Sequence, residues 1–353
     1  GAEEDKRARS AGLCEEGWSL CGEGNPQEAE RLFGEALRED PSNVDAMCKL
    51  AVLYEFELVE YGKAEELYRR AMAVEPRDVS LVYDFAVFLQ ERKGDFDEAQ
   101  SQYDRALRMA PTNGSVLNNY AVFLQTCRND SSAAHQVFLR AVEASPNAST
   151  TLCNYASFLE NSLGELDQAH AFYQRAIAAN PRDCAALYNY AIFLDERRGD
   201  PEGAASLYGR CLEVDEFDTD ALNNLGLLLQ HEREDASGAK ALFEKALSVD
   251  PTDLATINNL AVLSEDSLKD FEAAEALYLR ALAVNPKDVT SLCNYSGFLK
   301  HCKGSEEEAI KAYQRAARVD KGLADRMMEM QQGRASYRGS GCEGTTEVGY
   351  QAN

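Results

Sequence analysis

The chain repeats itself every 35 residues, and this restricts its fold more than any other feature. Pro41, Pro76, Pro111, Pro146, Pro181, Pro251 and Pro286 are spaced by 35 residues or a multiple of it, with Glu216 in the one vacant slot. Arrays with such a period consist of units too small to bury their own apolar faces, so each unit stacks on its neighbours.

Other columns keep the same register. Twelve residues before each mark stands Ala29, Ala64, Ala99, Ala134, Ala169, Ala204, Ala239, Ala274 or, before a ninth mark at Lys321, Ala309. Eight before it stands an aromatic, Phe33, Tyr68, Tyr103, Phe138, Tyr173, Tyr208, Phe243, Tyr278 or Tyr313. Five before it is alanine again, with Cys211 the one exception. Small residues at these spacings let two helices approach closely, and the aromatic fills the gap between repeats. The columns therefore predict the second helix of a hairpin. Asn43, Asp78, Asn113, Asp183, Asp218, Asp253 and Asp288, two residues after their marks, are candidate N-caps of a first helix, and only Ala148 breaks the series. Gly94, Asn129, Gly164, Gly199 and Gly304 share a slot suited to a left-handed helix end.

The pattern Ala-x3-aromatic-x2-Ala-x4-Pro closing a helical hairpin resembles the tetratricopeptide repeat. Gly17 and its spacing to Ala29 keep the family pattern in the first repeat. Later repeats carry one extra residue, expected in the loop between the helices, and replace the family's Trp, Leu, Gly and Tyr with residues such as Leu117, Tyr120, Ala121 and Leu124. The stretch "NYASFLENSLGELDQAHAFYQRAI" (154–177) also resembles the half-a-TPR repeat of RNA-processing factors. Either resemblance implies an all-α, right-handed superhelical solenoid with a concave face lined by first helices. The expected organisation is a charged segment at 1–9 and nine repeats, at 10–43, 44–78, 79–113, 114–148, 149–183, 184–218, 219–253, 254–288 and 289–322. A capping helix at 323–332, with Met327, Met328 and Met330 covering the open end, and a Gly- and Ser-rich flexible tail at 333–353 complete it.

One first-helix slot is held by asparagine through six consecutive repeats: Asn119, Asn154, Asn189, Asn224, Asn259 and Asn294. The slot before it varies through Asn118, Cys153, Tyr188, Asn223, Asn258 and Cys293. Ser115, Asn119, Val122 and Thr126 make a stripe away from the core contacts. A side-chain amide there can pair with both the C=O and the N–H of an extended peptide. This column resembles the asparagine ladder of O-GlcNAc transferase superhelices, which implies backbone contacts from each of the six. The competing reading is that each amide merely stitches neighbouring repeats together.

Lys49 and Asp84 hold the same slot in repeats two and three. Glu55, Glu91, Glu160, Asp195, Glu196, Glu265 and Asp266 give the groove an acidic rim, with His231, His301 and Lys300 nearby. Such a rim selects a Lys- or Arg-bearing segment, or it is simply a row of solvated helix ends. The slot where chaperone-binding repeats carry a late asparagine reads Val87, Val122, Ser157, Ile192, Leu227 and Val262, so that clamp is absent. Arg70, Arg105, Arg140, Arg175, Arg210, Lys245, Arg280 and Arg315 form a last column, expected to make ion pairs between repeats.

A net charge of −24 opposes binding to a phosphate backbone, which argues against direct nucleic-acid contact. No apolar run reaches the roughly 18 residues of a membrane span, and the N-terminus lacks a signal-peptide core. The ten cysteines lack metal-ligand spacing and fit a reducing compartment such as the cytoplasm. No nucleophile elbow, phosphate loop, dinucleotide turn or metal cluster occurs, and "DEFDTD" (215–220) lacks the Gly and Glu of a calcium loop. The expectation is a non-catalytic scaffold without cofactor or metal that binds an extended, preferentially basic peptide. A structural subunit docked through its convex face and ends, and the substrate-targeting arm of a larger enzyme such as a glycosyltransferase, are the alternatives.

Overall fold

A computed structural model describes residues 2–339, and the side chains of residues 3–330. The described residues form two compact units that divide between Ala179 and Asn180. The regular elements described in each are all helices.

The first unit stacks five hairpins. These are α1 (Ala2–Gly22) with α2 (Pro26–Glu39), α3 (Val44–Phe56) with α4 (Tyr61–Val74), α5 (Val79–Phe88) with α6 (Phe96–Met109), α7 (Gly114–Thr126) with α8 (Ser131–Ala144), and α9 (Ser149–Phe158) with α10 (Leu166–Ala179). The second unit stacks four, followed by one helix. They are α11 (Cys184–Phe193) with α12 (Pro201–Val214), α13 (Thr219–Glu232) with α14 (Ala236–Val249), α15 (Leu254–Asp266) with α16 (Phe271–Val284), α17 (Val289–Phe298) with α18 (Glu306–Val319), and then α19 (Lys321–Gly339).

The repeat columns are the core. Every alanine twelve before a mark is at most 4% exposed, and the aromatics from Phe33 to Tyr278 are at most 3% exposed. Each such aromatic contributes on the order of 1.5–3 kcal/mol by burial. Tyr313 alone is half-buried, and its hydroxyl donates to Asp325 on α19. All seven candidate N-caps accept the backbone N–H three residues on, at 2.7 to 3.2 Å. Ala148 caps nothing.

The extra residue does not sit in the loop, as expected, but at the end of the first helix. In four repeats that end widens into a π turn, Leu89–Lys93, Leu159–Leu163, Leu194–Arg198 and Leu299–Lys303, closed by Gly94, Gly164, Gly199 or Gly304 at φ 62 to 70°. In four others the left-handed residue is Val59, Asn129, Glu234 or Lys269. Both kinds close alike: the amide that begins the second helix donates to the carbonyl six residues earlier, as Asp95 does to Leu89 (3.1 Å) and Glu60 to Tyr54 (2.8 Å). The first hairpin closes one residue sooner, Asn25 N–H to Leu20 (3.0 Å), so Gly17 aligns with Ala51 and Trp18 with Val52. A Cβ on Gly17 would meet the Phe33 ring at 3.1 Å.

The arginine column also differs from expectation. Arg105, Arg140, Arg175, Arg210, Arg280 and Arg315 donate to the carbonyl of the proline 29 residues earlier, at 2.5 to 3.4 Å, rather than to an acid. A proline carbonyl at the turn has no helical donor of its own, so the guanidinium fills that vacancy. At the two ends, the charged residues after Gly1 are already part of α1, and α19 runs past the expected boundary at 332 to Gly339. Ala324, Leu323 and Met327 pack on Leu292 and Ala316, whereas Met330, expected to help cover the open end, is 62% exposed. The remainder of the expected tail, 340–353, lies outside the described residues.

Candidate functional site

The six column asparagines are all half-buried on their first helices. Four of them share one arrangement within their units. Asn119 Nδ2 donates to the Tyr83 hydroxyl, Asn154 Nδ2 to Asn118 Oδ1 (3.1 Å), Asn224 Nδ2 to the Tyr188 hydroxyl (2.9 Å), and Asn259 Nδ2 to Asn223 Oδ1 (2.9 Å). The acceptor always stands 36 residues earlier, in the variable slot of the preceding repeat. Stitching is therefore real, and it is made by the column together with the neighbouring slot.

Stitching does not exhaust the amides. A primary amide carries two N–H donors and a carbonyl acceptor, and these bonds engage one donor each. Among the described residues the carbonyl oxygens of Asn154 and Asn259 accept no hydrogen bond, whereas the Asn224 amide also meets the Tyr208 hydroxyl. Asn119 differs, since its Oδ1 accepts from Asn118 Nδ2 (2.9 Å). The variable slot is the more deeply placed, with Asn118 and Asn258 each 5% exposed. Asn258 Nδ2 bonds Leu254 O and Ser291 Oγ, both at 2.9 Å, and its Oδ1 is buried without a partner.

Residues 14–76, 85–215, 194–253 and 255–288 match family models described as tetratricopeptide repeat. The chain belongs to the tetratricopeptide repeat family. A tetratricopeptide repeat protein from Parabacteroides merdae resembles it with a TM-score of 0.54 at 18% identity, covering 72% of this chain and 98% of that one. PilF of Pseudomonas aeruginosa does so with 0.51 at 20%, covering 63% and 97%. A human IFIT1 dimer solved with m7Gppp-AAAA gives 0.52 at 20%, covering 87% and 71%. These similarities concern the fold. No curated protein matches the chain. Tetratricopeptide repeat proteins serve as protein-interaction scaffolds and are typically non-catalytic.

On this tetratricopeptide array the acidic rim divides into two groups. Glu55, Glu160 and Glu265 accept the hydroxyls of Tyr68 (3.3 Å), Tyr173 (3.0 Å) and Tyr278 (2.9 Å), thirteen residues on in the same repeat. Burial first, and these carboxylates second, push the Tyr68 and Tyr173 hydroxyls well above their ordinary pKa. Glu55 is buried and also holds Arg92 Nε at 3.1 Å. Glu91 and Glu196 are exposed, and Asp195 and Asp266 half-buried. Desolvation, then the nearby Glu232, raises the Asp195 pKa. Lys49 pairs with Asp45 at 2.9 Å and sits 5.7 Å above the Trp18 ring.

One feature escaped sequence reasoning, and a second was read there only as the lack of a clamp. The tyrosine partners of the rim acids could have been found, because the slot thirteen before Phe138 and Phe243 holds Gln125 and Gln230 rather than an acid. The row one turn beyond the asparagines, Val52, Val87, Val122, Ile192, Leu227 and Val262 with Ser157 interrupting it, is half-buried and sets aliphatic side chains beside the amides. Among the described residues no cluster of His, Cys, Asp and Glu could hold a metal, and no helix is long and apolar enough to cross a membrane.

Proposed function

We propose that the chain is a non-catalytic scaffold that binds an extended, basic peptide segment along the face of its first helices. Asn119, Asn154, Asn189, Asn224, Asn259 and Asn294 contact the peptide backbone, and the rim acids Glu91, Asp195, Glu196 and Asp266 attract Lys and Arg. The observation that carries this reading is the spare capacity of the amides. One inter-repeat bond fixes the orientation of Asn154 and of Asn259, while their carbonyl oxygens stay open on a half-exposed face. Preorganised groups lose less entropy on binding than mobile ones. First helices packed about 10 Å apart would bring one amide to every third residue of an extended chain. A net charge of −24 supports a basic protein partner over nucleic acid, and the cysteine usage supports a reducing compartment such as the cytoplasm.

The test uses two variant sets that break the same three stitches. Alanine at Asn154, Asn224 and Asn259 removes the column amides, whereas alanine at Asn118, Tyr188 and Asn223 removes only the residues they bond. Affinity capture of partners from cell extract should fail with the first set and survive with the second. Equal effects of the two sets would overturn the ladder and leave only stitching.

A second reading rests on a different surface. Val249, Val284 and Val319, 45, 40 and 51% exposed, recur at the ends of second helices and favour docking of that face into an assembly. Partner capture unaffected by either variant set but lost on Val249→Glu and Val284→Glu would select it.

A further inference from the structure

The first three repeats lack the amide column, and the arrangement there points to a different use of the same face. We infer that α1, α3 and α5 form an anchor subsite in which Asp84 takes a Lys or Arg side chain of the bound segment while Trp18, Val52, Phe56 and Val87 hold the prolyl or aliphatic residues beside it. The inference rests on the reading of the first-helix face as the peptide-binding face and names what its first repeats select.

Side-chain contacts bring these three helices together. Cys14 Sγ on α1 lies 3.2 Å from Asp45 Oδ2 on α3, and Lys49 spans Asp45 and the Trp18 ring. Arg92, in the π turn that extends α5, reaches back to Glu55 and lies 4.6 Å over the Phe56 ring. The cations here are thus committed, and they fix the rings from one side. Trp18 is still 47% exposed and Phe56 57% exposed, with half-buried Val52 and Val87 beside them. The rings' remaining faces, beside aliphatic side chains, form an apolar surface left solvent-exposed among the described residues.

Asp84 supplies the charge. It occupies the slot where an asparagine amide would donate to the repeat before, but an ionised carboxylate has no proton to give, and the residue 36 positions earlier is Cys48. Among the described residues no hydrogen bond or ion pair reaches its carboxyl. Although the residue is exposed, desolvation by its surroundings, followed by Asp78 and Glu55, raises its pKa. A lone carboxylate crowded by other acids gains from a cation, and the adjoining rings and valines gain from apolar cover. A segment in the polyproline II conformation meets both needs, since its three-residue turn of roughly 9 Å keeps pace with the packing distance of first helices, about 8–10 Å.

Trp18 is the single tryptophan of the chain, so its emission reports occupancy of this subsite directly. Three acetylated probes of four triplets each, Pro-Leu-Lys, Pro-Leu-Glu and Gly-Ser-Lys, would be titrated into the full chain. The Pro-Leu-Lys probe should shift Trp18 emission saturably, the other two should not, and Asp84→Asn should weaken the first roughly tenfold. Equal binding of the Gly-Ser-Lys probe, or an unchanged affinity in Asp84→Asn or Val87→Ser, would overturn the inference. The ladder has its own readout. If partner capture depends on Asn154, Asn224 and Asn259 while Asp84→Asn changes nothing, the anchor fails and the ladder stands. Loss of probe binding in Asp84→Asn, with capture indifferent to those three, would leave the anchor standing and overturn the ladder.

Discussion

Lys245 Nζ lies 3.1 Å from Glu216 Oε2, across the junction of two repeats where glutamate stands in the proline mark. In the other repeats from Arg70 to Arg315 the residue in the position of Lys245 is arginine, and six of those arginines donate to the proline carbonyl 29 residues before. The two positions have changed together: lysine with a side-chain acid takes the place of arginine with a backbone carbonyl.

That exchange gives a first prediction. Asp215, just before the vacant slot, is already extended at φ −133°, the conformation a following proline requires. Glu216→Pro combined with Lys245→Arg should therefore stabilise the chain by about 0.5–1 kcal/mol, chiefly by restricting the unfolded state. Lys245→Ala alone should shift stability by less than about 0.5 kcal/mol, because the existing pair is largely exposed. Urea unfolding followed by circular dichroism measures both.

A missing cap gives the second. Ala148 has the backbone of a cap (φ −78°, ψ 105°) and no oxygen to offer α9. Ala148→Asn adds the acceptor without further negative charge and should raise stability by about 1 kcal/mol. An unchanged urea midpoint would show that the asparagine side chain turns to solvent instead.

Val59 gives the third. It is a β-branched residue at φ 54°, in a slot that five other repeats fill with glycine. The left-handed conformation costs an L-residue roughly 1–2 kcal/mol, part of which glycine gives back as unfolded-state entropy. Val59→Gly should gain about 0.5–1 kcal/mol net, and since the side chain is 58% exposed no packing is lost. Glycine introduced at solvent-facing helix positions should do the opposite, which is the control.

The parts of the fold that were legible in the sequence are those where one residue type meets one requirement. Ala99 and Tyr103 recur because only a small residue and a ring fit between helices, and Asp253 because a cap needs a short acceptor. The π turn at Leu89–Lys93 was not legible, because it is a matter of backbone pairing and any residue can supply it. Nor was the partner of each column amide. What persists 36 residues before Asn119, Asn154, Asn224 and Asn259 is an oxygen acceptor, supplied by Tyr83, Asn118, Tyr188 or Asn223, so chemistry is kept while residue identity drifts. The same limit hid the rim: a glutamate reads alike whether a tyrosine hydroxyl holds it, as at Glu160, or it stands free for a ligand.

Asp84 carries the prediction that separates a binding residue from a structural one. Its pKa is raised in the folded chain, by desolvation first and by Asp78 and Glu55 after it. An acid with a raised folded-state pKa holds its proton more tightly folded than unfolded, so its ionisation at neutral pH opposes folding. That cost is fully present above the folded-state pKa and disappears as the pH falls below the unfolded value of about 3.9. Asp84→Asn should accordingly be more stable than the parent at pH 7, with the gap closing below about pH 4 in paired thermal melts. Its affinity for the Pro-Leu-Lys probe should fall at the same time. A residue whose loss strengthens the fold and weakens binding is retained for binding. If the variant is less stable at pH 7, the carboxylate has a structural donor and the anchor subsite loses its charge.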